Sequence, residues 1–176
     1  MLRLGNRTLT PVSLSELWPL PQMTATWRII PPGTANSIAA FGSTIQFHLA
    51  GHETNGAFCL GLATTPPGVA PPLHVHANDD ELFIVAAGDM AFYTPDGWHD
   101  ATPGTVVFMP RGVPHTFRNR GSTPSQHWVL TAPSGFEEFY ARSAEVFANA
   151  GPPDFAALGR TATDFGYTIM GPAPDG

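Results

Sequence analysis

Charge is scarce in this sequence. Charged side chains make up 12% of its 176 residues, about half the usual share of a globular domain. Only eight are Lys or Arg, and the net charge is −6. That excludes a protein holding nucleic acid by charge. Cysteine is nearly absent too. The single Cys59 excludes an internal disulfide and a four-thiolate zinc site within one chain, and it suits a reducing compartment. No apolar run reaches the roughly 18 residues that span a bilayer. No basic stretch followed by an apolar one opens the chain as a secretory signal would. The expectation is a soluble, cytoplasmic protein with neither nucleic acid nor membrane among its partners.

Glycine and proline are abundant instead. Eighteen Gly and 19 Pro make about a fifth of the chain, against an average near 12%. So many prolines exclude a coiled coil or a helical bundle. A chain that is 43% apolar and 11% aromatic is not a disordered one. What remains is a compact, turn-rich, all-β domain.

Short apolar runs separated by turn residues extend from about Trp27 to Thr131. Residues 44–49 alternate apolar and polar side chains as a half-buried strand does. Residues 57–63, 81–87, 90–94, 105–109, 115–119 and 126–131 complete the set of expected strands. Residues 64–72, 95–98 and 110–114 read as turns or irregular chain. Many short strands at close spacing predict a sandwich or barrel. The pattern changes after Thr131. Ser134 and Glu137 have the spacing of a capping box. Phe136, Phe139, Tyr140, Ala144 and Phe147 then recur at helical spacing, which predicts a helix over 135–149. Gly151-Pro152-Pro153 should end it, ahead of a shorter helix over 154–163 and a last strand over 167–170. The expected division is an N-terminal arm (1–26), a β core (27–131) and C-terminal helices and tail packed on it (132–176).

Seven histidines occur, and their spacing carries the chemistry. His74 and His76 are two apart, so on a strand both point to one face. Glu81 lies at an odd offset from them, but the polar turn through Asn78, Asp79 and Asp80 can bring it back beside the pair. His115 heads another strand after the Pro110–Pro114 turn. Three imidazoles and a carboxylate on one inner wall would form a mixed nitrogen and oxygen site for a divalent transition metal: Fe, Ni, Co, Mn, Cu or Zn. The other histidines are weaker candidates. His48 and His127 read as core residues, one of which could orient a ligand histidine, while His52 and His99 read as exposed. The Asp79-Asp80 pair reads as a solvated turn, and Arg111 as a surface charge.

The longer pattern is Gly68-x5-His74-x-His76-x4-Glu81-x6-Gly88, then Gly104-x5-Pro110-x-Gly112-x2-His115-x3-Asn119. At every fixed position it resembles the two motifs of the cupin family. The resemblance implies a cupin double-stranded β-helix, a jelly-roll barrel with a C-terminal helical extension. It also implies that His74, His76, Glu81 and His115 are the metal ligands, one metal per chain. The motif glycines would then allow positive φ, and Asn119 would hydrogen-bond structurally. The flanks Pro66–Pro72, Asp80–Phe83, Thr131–Glu137 and Phe165–Pro172 look like those of the quercetin 2,3-dioxygenase-like monocupins.

That subtype would cleave a flavonol or a similar aromatic enol with O2, opening the ring and releasing carbon monoxide. Glu81 would serve as ligand and general base. Phe83, Phe92, Phe108, Phe117, Trp128 and Phe136 are the expected wall of a pocket for the small-molecule substrate, with the helix bearing Phe136 as a lid. Other metal-dependent cupin enzymes, such as isomerases or decarboxylases, and a non-catalytic small-molecule binder are the alternatives. Exposed sheet edges need cover, so a homodimer is expected.

Overall fold

The computed structural model describes residues 26–148 and 154–176. The expected N-terminal arm lies outside these residues except for Thr26, as does the Gly151-Pro152-Pro153 stop. Eleven strands are described: β1 (Asn36–Ala40), β2 (Ser43–Leu49), β3 (Cys59–Thr65), β4 (Leu73–His76), β5 (Asp80–Ala87), β6 (Met90–Thr94), β7 (Gly97–Ala101), β8 (Val106–Met109), β9 (Thr116–Asn119), β10 (Ser125–Ala132) and β11 (Tyr167–Gly171). Helices α1 (Phe136–Phe147) and α2 (Phe155–Asp164) lie between β10 and β11. None of the described helices is long and apolar enough to cross a membrane.

The strands form a six-stranded sheet in the order β1-β2-β3-β10-β5-β8, a three-stranded sheet β7-β6-β9 and a pair β4-β11. All the pairings are antiparallel. This is the all-β jelly roll with C-terminal helices that the sequence led us to expect. Strict alternation builds its interior. In β10, Ser125, His127, Val129 and Thr131 are buried while their neighbours are not, as period-two side chains require. On β5 the inward residues are Glu81, Phe83 and Val85. Phe83 packs on Phe92 of the facing sheet with ring centroids 5.0 Å apart.

Helix α1 lies against β1, its Phe136, Phe139 and Tyr140 turned inward. The Tyr140 hydroxyl donates to the carbonyls of Ala40 (2.8 Å) and Ser43 (3.1 Å). The expected capping box does not form. Gly135, with φ +136°, takes the cap position one residue after Ser134, which makes no cap bond. Glu137 instead accepts from Gly135 N (2.9 Å) and from Gly51 N (2.6 Å). It ties the helix to the turn after β2, and its charge suits the helix N-terminus. Helix α2 is capped by Asp154, whose carboxylate accepts from Ala156 N and Ala157 N.

Candidate metal centre

The two histidine-bearing segments run antiparallel, held by backbone hydrogen bonds. Gly68 N donates to Asn119 O, Asn119 N to Val69 O and Gly112 N to His76 O. His74 and His115 exchange both bonds, at 3.1 and 3.0 Å, and so stand opposite each other in an antiparallel bridge. The motif glycines Gly68, Gly88, Gly104 and Gly112 all have positive φ. Asn119 is structural: its Nδ2 donates to the carbonyls of Thr65 and Thr123, both at 2.8 Å.

His74 and His76 share a face of β4. The turn after His76 starts a new strand, and Glu81 arrives on the inward face of β5, paired with Thr131 and Met109. The odd sequence offset is thus absorbed by the turn. One donor atom from each of His74, His76, Glu81 and His115 lies within 4.8 Å of the other three. The three ring centroids are 4.6 to 5.0 Å apart.

All three imidazoles are oriented alike. Nδ1 of His74 donates to Pro72 O (2.8 Å), that of His115 to Val113 O (2.9 Å), and that of His76 to Asp79 Oδ2 (2.8 Å). A carbonyl oxygen only accepts, so Nδ1 carries the proton and Nε2 is the atom presented inward. Asp79 is therefore not the solvated turn residue we expected. It is 4% exposed and fixes the His76 ring. Asp80 does face outward, where Arg111 grips it through Nε (3.0 Å) and Nη2 (2.9 Å). Neither His48 nor His127 orients a ligand ring. His48 Nδ1 donates to Gln46 O, and the His127 ring makes no such contact.

Electrostatics suit a cation here. Desolvation, with the neighbouring His115 and His76 adding to it, pushes His74 down to about 3, so that imidazole is neutral. Burial alone would raise the Glu81 pKa, but the surrounding imidazoles outweigh it and hold the carboxyl at about 2. Burial disfavours charge on His115, yet the 2.9 Å hydrogen bond from its Nε2 to Glu81 Oε2 raises its pKa on balance. A proton bridging His115 and Glu81 thus sits where a metal would replace it. Three neutral-capable Nε2 donors and an ionised carboxylate fit a divalent first-row transition metal.

A cavity of about 70 Å³ opens beside this cluster, with His74 and Glu81 in its wall. Of the six aromatic residues named from the sequence, Phe83, Phe117 and Phe136 line it. Phe92, Phe108 and Trp128 do not. Phe92 is buried one layer behind Phe83 and Phe117. Phe108 pairs with Leu82, out of phase with Glu81 and Met109, and is 59% exposed. Trp128 is out of phase with His127 and stacks edge-on against His48, 4.9 Å away on the outer face. Sequence reasoning also missed Phe41, Ile45, Phe139 and Tyr167 as cavity residues. The phase of Phe108 and Trp128 is set by the register of β8 and β10 against Glu81, which alternation within one strand does not give.

Residues 61–130 match the family described as the cupin domain. The fold resembles that of a predicted oxalate decarboxylase from Thermotoga maritima, with a TM-score of 0.56 and 18% identity over 60% of this chain and 99% of that one. It resembles the polyketide cyclase RemF from Streptomyces resistomycificus, with a TM-score of 0.54 and 20% identity over 62% and 81%. A cupin-superfamily sugar phosphate isomerase from Silicibacter pomeroyi matches with a TM-score of 0.47 and 25% identity over 52% of this chain. The match spans 59% of that isomerase's own length. No curated protein matches the sequence. Residues 61–130 are thus similar to the cupin domain, and the fold is the cupin jelly roll.

Proposed function

We propose that this chain is a metal-dependent monocupin dioxygenase acting on a flavonol or a similar aromatic enol, with His74, His76, Glu81 and His115 as metal ligands. The observation that carries this reading is the make-up of the cavity. His74 and Glu81 stand in its wall, the rest is mainly aromatic and aliphatic, and among the described residues no arginine lines it. The chain has no lysine at all. Beyond the metal itself, such a wall offers no counter-charge to a small dianion such as oxalate, whereas a planar aromatic molecule with one acidic oxygen matches both its apolar and its metal-binding parts.

A bound metal would supply Lewis acidity toward that oxygen and a position for O2. Glu81, ionised at neutral pH, is the only carboxylate lining the cavity among the described residues, and it accepts the enol proton. Phe83, Phe117 and Phe136 flank the ring and keep water out. At about 70 Å³ the cavity is well below the roughly 300–1,000 Å³ of ordinary ligand sites. A flavonol therefore enters only if helix α1 draws Phe136 and Phe139 back, which makes α1 the lid.

The test is elemental analysis of the purified protein, then O2-electrode measurement with quercetin at full metal occupancy. Oxygen consumption with release of carbon monoxide is the expected result. No uptake with any flavonol would overturn the dioxygenase. The small cavity favours a second reading, a metal-dependent isomerase, decarboxylase or binding protein for a smaller molecule. A redox-inert metal such as zinc with no O2 dependence would mark it.

A homodimer completes the proposal. Ile84, Val106 and Phe108 are 38%, 59% and 59% exposed around β8, the end strand of its sheet. This edge is apolar and uncharged, so a second copy meets it without charge repulsion, and covering it removes an open sheet edge. Sedimentation should give a mass near twice 18.7 kDa; a monomer at micromolar concentration would overturn this.

A further inference from the structure

One polar side chain in the cavity wall has no part in the metal cluster. His127 is 1% exposed. Its Nδ1 is enclosed with no hydrogen-bond partner among the described residues. Buried polar atoms are almost always paired, because leaving one desolvated without a partner is costly. An imidazole kept unpaired in the wall of a cavity is therefore placed for a partner that enters the cavity.

The surroundings define that partner. His127 sits edge-on to Phe117 and Phe83, with ring centroids 4.7 and 5.5 Å away. The ring is neutral, since burial pushes its pKa down to about 4. It thus offers one N–H donor and one bare nitrogen acceptor, which a hydroxyl group can satisfy. On β10, His127 lies opposite Val85, and Thr131 opposite Glu81. Four residues of strand separate the two levels, roughly 13 Å along the strand direction. His127 and Glu81 therefore stand at different levels of the cavity wall, with Phe83 on the strand between them.

We propose that His127 is a polar anchor that hydrogen-bonds a hydroxyl group on the far end of an aromatic ligand whose other end meets the metal cluster. The ligand class is accordingly a planar aromatic molecule with an oxygen at each end, not one with a single polar terminus. This rests on the reading of the cavity as a ligand site, and it makes His127 a residue that sets specificity.

The test uses the full chain loaded with zinc, and phenol and toluene as probes of similar shape. Binding is followed by the imidazole 15N resonances, with those of His127 identified by their loss in His127→Gln. Phenol should shift the His127 resonances and bind roughly tenfold better than toluene. His127→Leu should abolish or invert that preference, and His127→Gln, which keeps hydrogen-bonding capacity, should retain part of it. A phenol preference unchanged in His127→Leu overturns the proposal, as does binding of neither probe. Should His127→Leu fail to fold, the wild-type resonance shifts and His127→Gln decide the matter. Loss of O2 uptake with flavonols, alongside an intact His127-dependent preference, would overturn the dioxygenase reading alone.

Discussion

His115→Ala should take the metal content of the purified protein from about one ion per chain to near zero. The substitution removes one of three inward-facing Nε2 donors. It also strips Glu81, 4% exposed, of the 2.9 Å hydrogen bond from His115. The remaining histidines have their Nδ1 atoms held by separate partners, so neither can swing over to replace the lost donor. Asp79→Ala is the graded counterpart. It leaves all four donors in place but frees the His76 ring from its 2.8 Å tether, and loss of such a tether typically weakens metal binding by about 10–100-fold. Competition with a chromophoric chelator measures both variants. Wild-type metal content in His115→Ala would show that the ion binds elsewhere, and an unchanged affinity in Asp79→Ala would remove Asp79 from the site.

Gly88→Ala should be the most damaging of the motif-glycine substitutions to the fold. Gly88 has φ +81°, and a Cβ there would lie 2.8 Å from the backbone Cα of Ser125 and 2.9 Å from its Cβ. The left-handed backbone costs an L-residue about 1–2 kcal/mol, and forcing β10 aside adds about 1–3 kcal/mol. Together these give roughly 2–5 kcal/mol, to be read from the urea midpoint at constant slope. Gly104→Ala is the control. Its φ is +93° and a Cβ there meets nothing within 4 Å, so only the backbone cost of about 1–2 kcal/mol applies. Equal losses in the two variants would refute the crowding at Ser125.

Strands whose own side chains alternate were legible in the sequence, and so was the four-residue cluster, because both depend on local spacing. β1 and β7 were not. Asn36–Ala40 is made of small and polar residues with a single Ile, and it is a strand because β2 pairs with it. Gly97–Ala101 begins inside an evident turn and exposes His99 and Asp100; its strand character comes from Met90–Thr94. The cavity was half legible for a related reason. Phe83 and Phe117 follow from alternation within their own strands. Phe41 reaches the cavity from the turn between β1 and β2, and Phe139 and Tyr167 reach it only because α1 and β11 fold back from far along the chain. Asp79 is drawn inward by the ring of His76, a contact that no composition of the turn announces.

The pairing of β4 with β11 has a consequence in time as well as in space. Two of the four donor residues sit on β4, and one edge of that strand is completed by Tyr167 opposite His76 and Ile169 opposite His74. The Tyr167 ring also packs edge-on against His76, 4.4 Å between centroids. Synthesis runs from the N-terminus, so all four donors leave the ribosome long before the strand that braces two of them. Until residue 171 has emerged, the strand holding His74 and His76 lacks its ladder with β11. A metal site built on His74 and His76 is thereby braced only once β11 has been made, and that strand acts as the clasp on a cluster to which it contributes no donor.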